Sequence, residues 1–170
     1  NKRNILNIFN MELLRKKIGF CPKQDILFDN LSIREHLELF GKIKDINSEG
    51  IKENIDNIIS IFQLEDKQYV SSKKLSQSER RKLSIILSLI GENEFLFLDQ
   101  PTNGLDMNSK KILWDYLKYQ CIGKFVIVMT HDLEEAIVLS NRIGIIHYGQ
   151  IYSVGSLSFL IENFAKNMNL

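Results

Sequence analysis

Four apolar residues, Phe95-Leu96-Phe97-Leu98, end in the carboxylate of Asp99, and Gln100, Pro101 and Thr102 follow. Such a run, bounded by a turn signal, reads as a buried parallel strand. It delivers the carboxylate to the strand's C-terminal end, where open α/β sheets hold their ligands. A carboxylate at that rim can hold a divalent cation directly or accept from the cation's water ligands. Its alternative role is a turn or helix N-cap. Gln100 stands beside it; an amide can orient water but cannot accept a proton near neutral pH. A second apolar run, Phe125 to Met129, is followed by His131. An imidazole at a strand end can hydrogen-bond a phosphate, or it can be structural. Ser76 and Glu79 stand at capping-box spacing and open a helix whose N-terminus suits an anion. Together these residue types suit phosphate and a cation, with an amide standing beside the carboxylate.

The elements that must position them alternate between helix and strand. Lys17 to Cys21 is a short strand ending at Pro22. Ser32-Ile33-Arg34-Glu35 is a capping box, and the helix after it presents Ile33, Leu37 and Phe40, with Gly41 and the run 42–47 marking its end. A second helix from Ser48 to Phe62 carries Ile51, Ile55, Ile58, Ile59 and Phe62 on one face. After a polar loop at 69–74, a helix runs from Ser76 to Ile90, with Gly91 at its C′ position. Phe95–Leu98 and Phe125–Met129 are expected to be buried strands. Between them lie a tight loop, 101–106, and a helix from Asn108 to Tyr119 that buries Ile112, Leu113 and Leu117. A helix at 133–139 follows, then strands 142–147 and 150–154 joined at Tyr148-Gly149 as a hairpin, and a last short helix opened by Ser156. The pattern predicts an α/β fold with a mostly parallel sheet flanked by helices, a small helical insertion and a C-terminal β-hairpin.

Composition narrows the class. The 170 residues suffice for one domain with a real core; 44 % are apolar and the formal net charge is +1. Acids and bases are interspersed, with no basic stripe or aromatic platform, which argues against nucleic acid as a partner. Cys21 and Cys121 lie far apart without metal-ligand spacing and read as reduced thiols. No apolar run approaches the roughly 20 residues needed to cross a bilayer. His36 and His147 have no evident partners and read as ordinary surface or core residues.

The order of these motifs resembles the nucleotide-binding domain of ABC transporters, a P-loop NTPase, and most of all the A subfamily of lipid exporters. Cys21-Pro22-Lys23-Gln24-Asp25-Ile26-Leu27-Phe28-Asp29 is similar to the family's Q-loop, and Leu75-Ser76-Gln77-Ser78-Glu79-Arg80-Arg81-Lys82-Leu83-Ser84 to its signature motif. Leu98-Asp99-Gln100-Pro101-Thr102 resembles Walker B, Asn103-Gly104-Leu105-Asp106 the D-loop, and Thr130-His131-Asp132 the H-loop. Gly155 to Leu160 resembles a stretch typical of the A subfamily. The phosphate-gripping Gly-x-x-x-x-Gly-Lys-Ser/Thr is absent from the sequence. The resemblance places it upstream of residue 1, so residues 1–170 are expected to be a partial ATP-binding domain with a helical subdomain at 32–74.

The resemblance implies ATP and Mg²⁺ as cofactors, with Asp99 on the metal. Gln100 takes the general-base position, which slows hydrolysis and favours a long-lived ATP-bound state. Lys23 occupies the usual Q-loop glutamine position with Gln24 one place later. A one-residue slip can bring Gln24 to the metal, or neither side chain reaches it. Ser76, Gln77 and Ser78 occupy the positions that reach a partner's γ-phosphate, with side chains where the family has glycine; Ser76 and Glu79 are read rather as a helix cap. His131 is expected to bond the γ-phosphate, and Asp106 to cross to the partner, cap the following helix, or both. The implied partners are a second nucleotide-binding domain and transmembrane domains in the same or another chain. These would hold the domain at the cytoplasmic face of a membrane, with lipid as cargo. The alternative is a catalytically degenerate module that pairs with, or regulates, an active partner without appreciable hydrolysis. A soluble relative acting on chromosomes or ribosomes is disfavoured by the neutral charge.

Overall fold

The computed structural model describes residues 8–46 and 48–167; Asn47, in the run expected to end the first capped helix, lies outside them. The chain divides into two units, Asn1–Met129 and Thr130–Leu170. The first holds α1 (Ile8–Lys16), β1 (Ile18–Cys21), α2 (Ile33–Ile43), α3 (Ser48–Ile61), α4 (Gln77–Leu89), β2 (Phe95–Asp99), α5 (Met107–Gln120) and β3 (Phe125–Met129). Its strands form a parallel sheet in the order β1-β2-β3. Ile18, Phe95 and Phe125 stand side by side in register, and Asp99 pairs with Met129. Parallel pairing requires long crossovers. Here α2, α3 and α4 lie between β1 and β2, and α5 between β2 and β3.

One sheet face carries Gly19, Cys21, Leu96 and Leu98, and it packs on α4. Cys21, Leu96 and Leu98 are fully buried. A Cβ on Gly19 would stand 2.0 Å from the Ser88 carbonyl oxygen and 2.5 Å from Leu96 Cδ2, so strand and helix meet backbone to backbone there. Burial on both faces, expected for β2 and β3, is not what the structure has. On the opposite face Phe20, Phe95, Phe125, Ile127 and Met129 are exposed. The uniform apolar run Phe95–Leu98 suits burial on both sides, but among the described residues only one side is covered.

The helices of the first unit close around Leu37, Ile55, Ile59, Phe62 and Leu64. Both ends of the Ser32 capping box form: Glu35 N–H donates to Ser32 Oγ at 3.3 Å, and Ser32 N–H donates to Glu35 Oε2 at 2.7 Å. Gly41 does not end α2, which runs on to Ile43. Ile51 Cδ1 would lie 2.8 Å from a Gly41 Cβ, so α3 packs into the space the missing side chain leaves. That packing outweighs the roughly 1 kcal/mol by which glycine disfavours a helix interior. Phe40 is half-buried, and the inner face of α2 is instead Ile33, His36, Leu37 and Gly41.

His36 is a fully buried core residue with two partners. Its Nε2 accepts from the Phe28 N–H at 2.9 Å and its Nδ1 lies 2.7 Å from the Ser32 carbonyl oxygen. Accepting at one nitrogen and donating at the other requires the neutral ring with its proton on Nδ1. Burial pushes its pKa down.

The second unit holds α6 (Leu133–Leu139), an antiparallel hairpin of β4 (Ile143–His147) and β5 (Gln150–Gly155), and α7 (Leu157–Asn167). Tyr148 and Gly149 take φ of 46° and 74°, the pair of left-handed residues that a two-residue hairpin turn needs. A bulge between Ile145 and Ile146 shifts the register.

Two outcomes follow. Gly19→Ala is expected to destabilise the chain by at least ~1–3 kcal/mol, because the added methyl meets backbone instead of a flexible side chain. The reading is a lower urea midpoint at unchanged m-value, and an unmoved midpoint would refute the close approach. For His36, the folded pKa lies below the unfolded one. Its contribution is therefore complete above about pH 6.5 and declines as pH falls, because the unfolded chain then takes up a proton that the folded ring excludes. Denaturation midpoints between about pH 8 and about pH 5 should show that decline, and His36→Gln should flatten it.

Candidate functional site

Asp99 ends β2 at the C-terminal edge of the sheet, half-buried, and the chain turns sharply at Gln100. Gln100 has a φ of 48°, a left-handed conformation that costs a non-glycine residue about 1–2 kcal/mol. Backbone bonds hold it there. Its N–H donates to the Met129 carbonyl at 2.7 Å, continuing the ladder one residue past Asp99, and its carbonyl accepts from Asn103 N–H at 3.0 Å. The residue beside the carboxylate is thus fixed by its main chain, whatever its side chain.

The main fastening is Arg81, on the first turns of α4 and 2 % exposed. Its Nη2 donates to the carbonyls of Asp99 and Gln100 at 2.8 and 2.9 Å, and its Nε donates to that of Pro101 at 3.0 Å. Its Nη1 donates to the Pro22 carbonyl at 2.7 Å, to Asp25 Oδ1 at 2.8 Å and to the Lys23 carbonyl at 3.4 Å. One guanidinium therefore joins the turn after β2 to the loop after β1. Next to it, burial pushes the Cys21 thiol pKa up, with Arg81 opposing the shift.

The remaining residues distribute as follows. Lys23 and Gln24 are exposed on the loop after β1; what Arg81 engages there is the Lys23 carbonyl. Ser76 caps α4. Its Oγ accepts from Glu79 N–H at 3.3 Å, and its own N–H donates to Glu79 Oε2 at 2.7 Å. Gln77 is exposed and Ser78 half-buried. The Gln77 amide lies against Gly104, where a Cβ would be 3.3 Å from Nε2. Asp106 caps α5: its Oδ1 accepts from Ser109 N–H at 2.9 Å and its Oδ2 from Ser109 Oγ at 2.8 Å. The bond from the Ser109 N–H holds its carboxyl below the usual range. The first unit thus brings Asp99, Gln100 and the main chain of Lys23 to Arg81, and sets Gln77 against the loop that precedes Asp106. His131 belongs to the second unit, where it is exposed just ahead of α6; the N–H of its neighbour Asp132 donates to Thr130 Oγ1 at 2.9 Å.

Arg81 and Asp25 were not singled out by the sequence. Glu79-Arg80-Arg81-Lys82 looks like a solvated charged turn. The signal was the helical spacing: Arg81 lies four and seven residues before Ile85 and Ser88, both buried. That puts it on the core face, and a buried guanidinium must be paired and hydrogen-bonded.

Among the described residues no group of three or more His, Cys, Asp or Glu gathers to hold a metal, and no helix is long and apolar enough to cross a membrane. Both cysteines are free and buried.

The sequence model of the ABC transporter family matches residues 2–103. The chain is 37 % identical over 161 residues to the phospholipid-transporting ATPase ABCA3 of Mus musculus, which covers 95 % of this chain and 9 % of that protein. It is 33 % identical over 160 residues to ATP-binding cassette sub-family A member 2 of Homo sapiens, covering 94 % of this chain and 7 % of that protein. The chain therefore spans a small part of these relatives. Among solved structures, the dimeric bacterial ABC transporter cassette MJ0796 superposes with a TM-score of 0.81 at 25 % identity, over 91 % of this chain and 69 % of that one. A post-hydrolysis state of the same cassette, bound to ADP and Pi, gives a TM-score of 0.79 at 25 % identity over the same shares.

Proposed function

The chain belongs to the ABC transporter family, and from that membership we propose that it is the ATP-binding part of a membrane transporter whose cargo is lipid. The observation that carries the reading is the Asp99–Gln100 turn at the C-terminal edge of a parallel sheet, bound through Arg81 to the loop of Lys23 and Gln24. Open α/β sheets hold ligands at that edge.

The donors fit the implied group. Mg²⁺ accompanying a nucleotide is usually held by one or two carboxylates together with waters and phosphate oxygens, and Asp99 is a single half-buried carboxylate at the rim. Gln24, exposed on the neighbouring loop, is the second candidate ligand. When bound, ATP and Mg²⁺ supply a phosphoryl group with its charge partly neutralised. In this reading Asp99 would hold the cation and Lys23 would serve the phosphates; His131, described within the second unit, is a separate candidate phosphate partner. Ser76, Gln77 and Ser78 present the capped end of α4 to the nucleotide of a second cassette, and Asp106 completes the dimer contact. Gln100 can orient a water but cannot take its proton, and removing general-base assistance typically lowers rate by about 10²–10⁴-fold. The helical subdomain at 32–74 and the loop after β1 would form the coupling surface toward transmembrane domains in the same or a partner chain. The cassette would then stand at the cytoplasmic face of the membrane.

A second reading is a nucleotide-holding module that barely turns over and leaves catalysis to its partner. Gln100 favours it, as do the side chains at Gln77 and Ser78 where close phosphate approach needs bare backbone.

Both readings are tested in the intact protein reconstituted in lipid vesicles. Asp99→Asn should abolish ATP-dependent lipid movement, and unchanged movement would remove the metal role. Gln100→Glu should raise ATP turnover by about 10²–10⁴-fold if the amide alone limits hydrolysis. A turnover unmoved by Gln100→Glu favours the module that leaves catalysis to its partner.

A further inference from the structure

We propose that Arg81 is a positioning residue that makes the turn carrying Asp99 and Gln100 and the loop carrying Lys23 and Gln24 respond to nucleotide as one body. The inference deepens the ATP-binding reading and rests on it. The two segments come from different strand ends, β1 and β2, and each offers carbonyl oxygens to the same guanidinium. Pro22 and Lys23 do so on one side, and Asp99, Gln100 and Pro101 on the other. Arginine supplies five N–H donors in a rigid planar fork. Nη1 serves the first loop, together with Asp25 Oδ1, while Nη2 and Nε serve the second. With the side chain 2 % exposed, water cannot readily replace a bond that opens. A displacement of either segment therefore strains the fork and pulls on the other.

The geometry also reaches the capped helix end. Arg81 sits on α4, five residues past its N-cap Ser76, so the same side chain carries a shift of the two loops into the first turns of that helix. In a pair of cassettes this helix end addresses the partner's nucleotide, whereas Asp99 addresses the chain's own. Arg81 is then the covalent and hydrogen-bonded path from one composite site to the other.

A lysine at this position keeps a charge opposite Asp25 but offers one nitrogen on a flexible stem, too few donors to span both loops. The test is hydrogen–deuterium exchange of the intact protein in lipid nanodiscs, with and without ATP and Mg²⁺. In the wild type, nucleotide should slow amide exchange in 22–27 and in 99–104 together. In Arg81→Lys the slowing at 99–104 should persist, and that at 22–27 should fall at least tenfold. A merely structural role predicts faster exchange in both segments without nucleotide but an ATP response that remains joint, and that result overturns the proposal. If Arg81→Lys does not fold, Asp25→Ala decides. Loss of the carboxylate should cut the ATP-dependent slowing at 22–27 at least threefold while 99–104 is retained, and unchanged slowing at 22–27 overturns the proposal. Absence of any nucleotide effect in the wild type would instead overturn the ATP-binding reading, and this inference with it.

Discussion

A guanidinium taken almost wholly out of water must find a partner for each of its donors, and that requirement shapes the first unit around Arg81. Five of its acceptors are main-chain carbonyls and one is a carboxylate. These carbonyls lie at and just past the ends of β1 and β2, where main-chain acceptors shielded from water still need donors, so they too gain from the guanidinium. The arrangement is stable only as a set. Removing the arginine would take a donor from five carbonyls at once, that of buried Pro101 among them, and removing Asp25 would leave a buried charge with neutral partners alone.

Because the fork grips main chain at Gln100 and Lys23, the side chains of these two residues are released from structural duty there. Gln100 keeps its left-handed φ through its own N–H, its carbonyl and Arg81. None of these bonds involves its side-chain amide. A glutamate there could be replaced by glutamine without disturbing the turn, and the same holds for Lys23, whose contribution to the fork is its carbonyl. The scaffold therefore tolerates loss of chemistry at these two positions. The fold of the turn and the identity of these two side chains are separable here, for a reason visible in the hydrogen bonds.

What the sequence made legible follows from where the information is local. Both capping boxes, the Asp106 cap offered as one of two roles, the Tyr148-Gly149 turn and the extent of the strand ending in Asp99 are set by residues within four positions of one another, and each is present. The exposure of Phe20, Phe125 and Ile127 was not legible, because an apolar strand carries no mark of which face will be covered. Gly41 read as a stop signal. Its use as a notch for Ile51 depends on a helix that begins after it. His36 and Arg81 were hidden for a shared reason. Apart from Asp25, their partners are main-chain groups, Phe28 N–H and the carbonyls of residues 22, 23, 32 and 99–101, which no side-chain type announces.

The capped end of α4 shows where structure and chemistry compete directly. A helix N-terminus binds phosphate because its first amides lack partners. Here the Ser76 hydroxyl already accepts from Glu79 N–H, and the Glu79 carboxylate accepts from Ser76 N–H. Glu79 also places a negative charge in the first turn, favourable to the helix dipole and opposed to an anionic ligand. Gln77, where backbone would have to approach a phosphate closely, lies against Gly104. An incoming phosphate would have to break the cap, face the carboxylate and displace that amide. At the Asp99 rim, by contrast, Arg81 engages the carbonyls and leaves the carboxylate out of its fork. The Asp99 rim and the capped end of α4 are therefore unequal in a physical sense. In the proposed reading, the carboxylate that would hold the cation stays out of the Arg81 fork, and the helix end that would address a partner has turned its donors inward to stabilise its own helix.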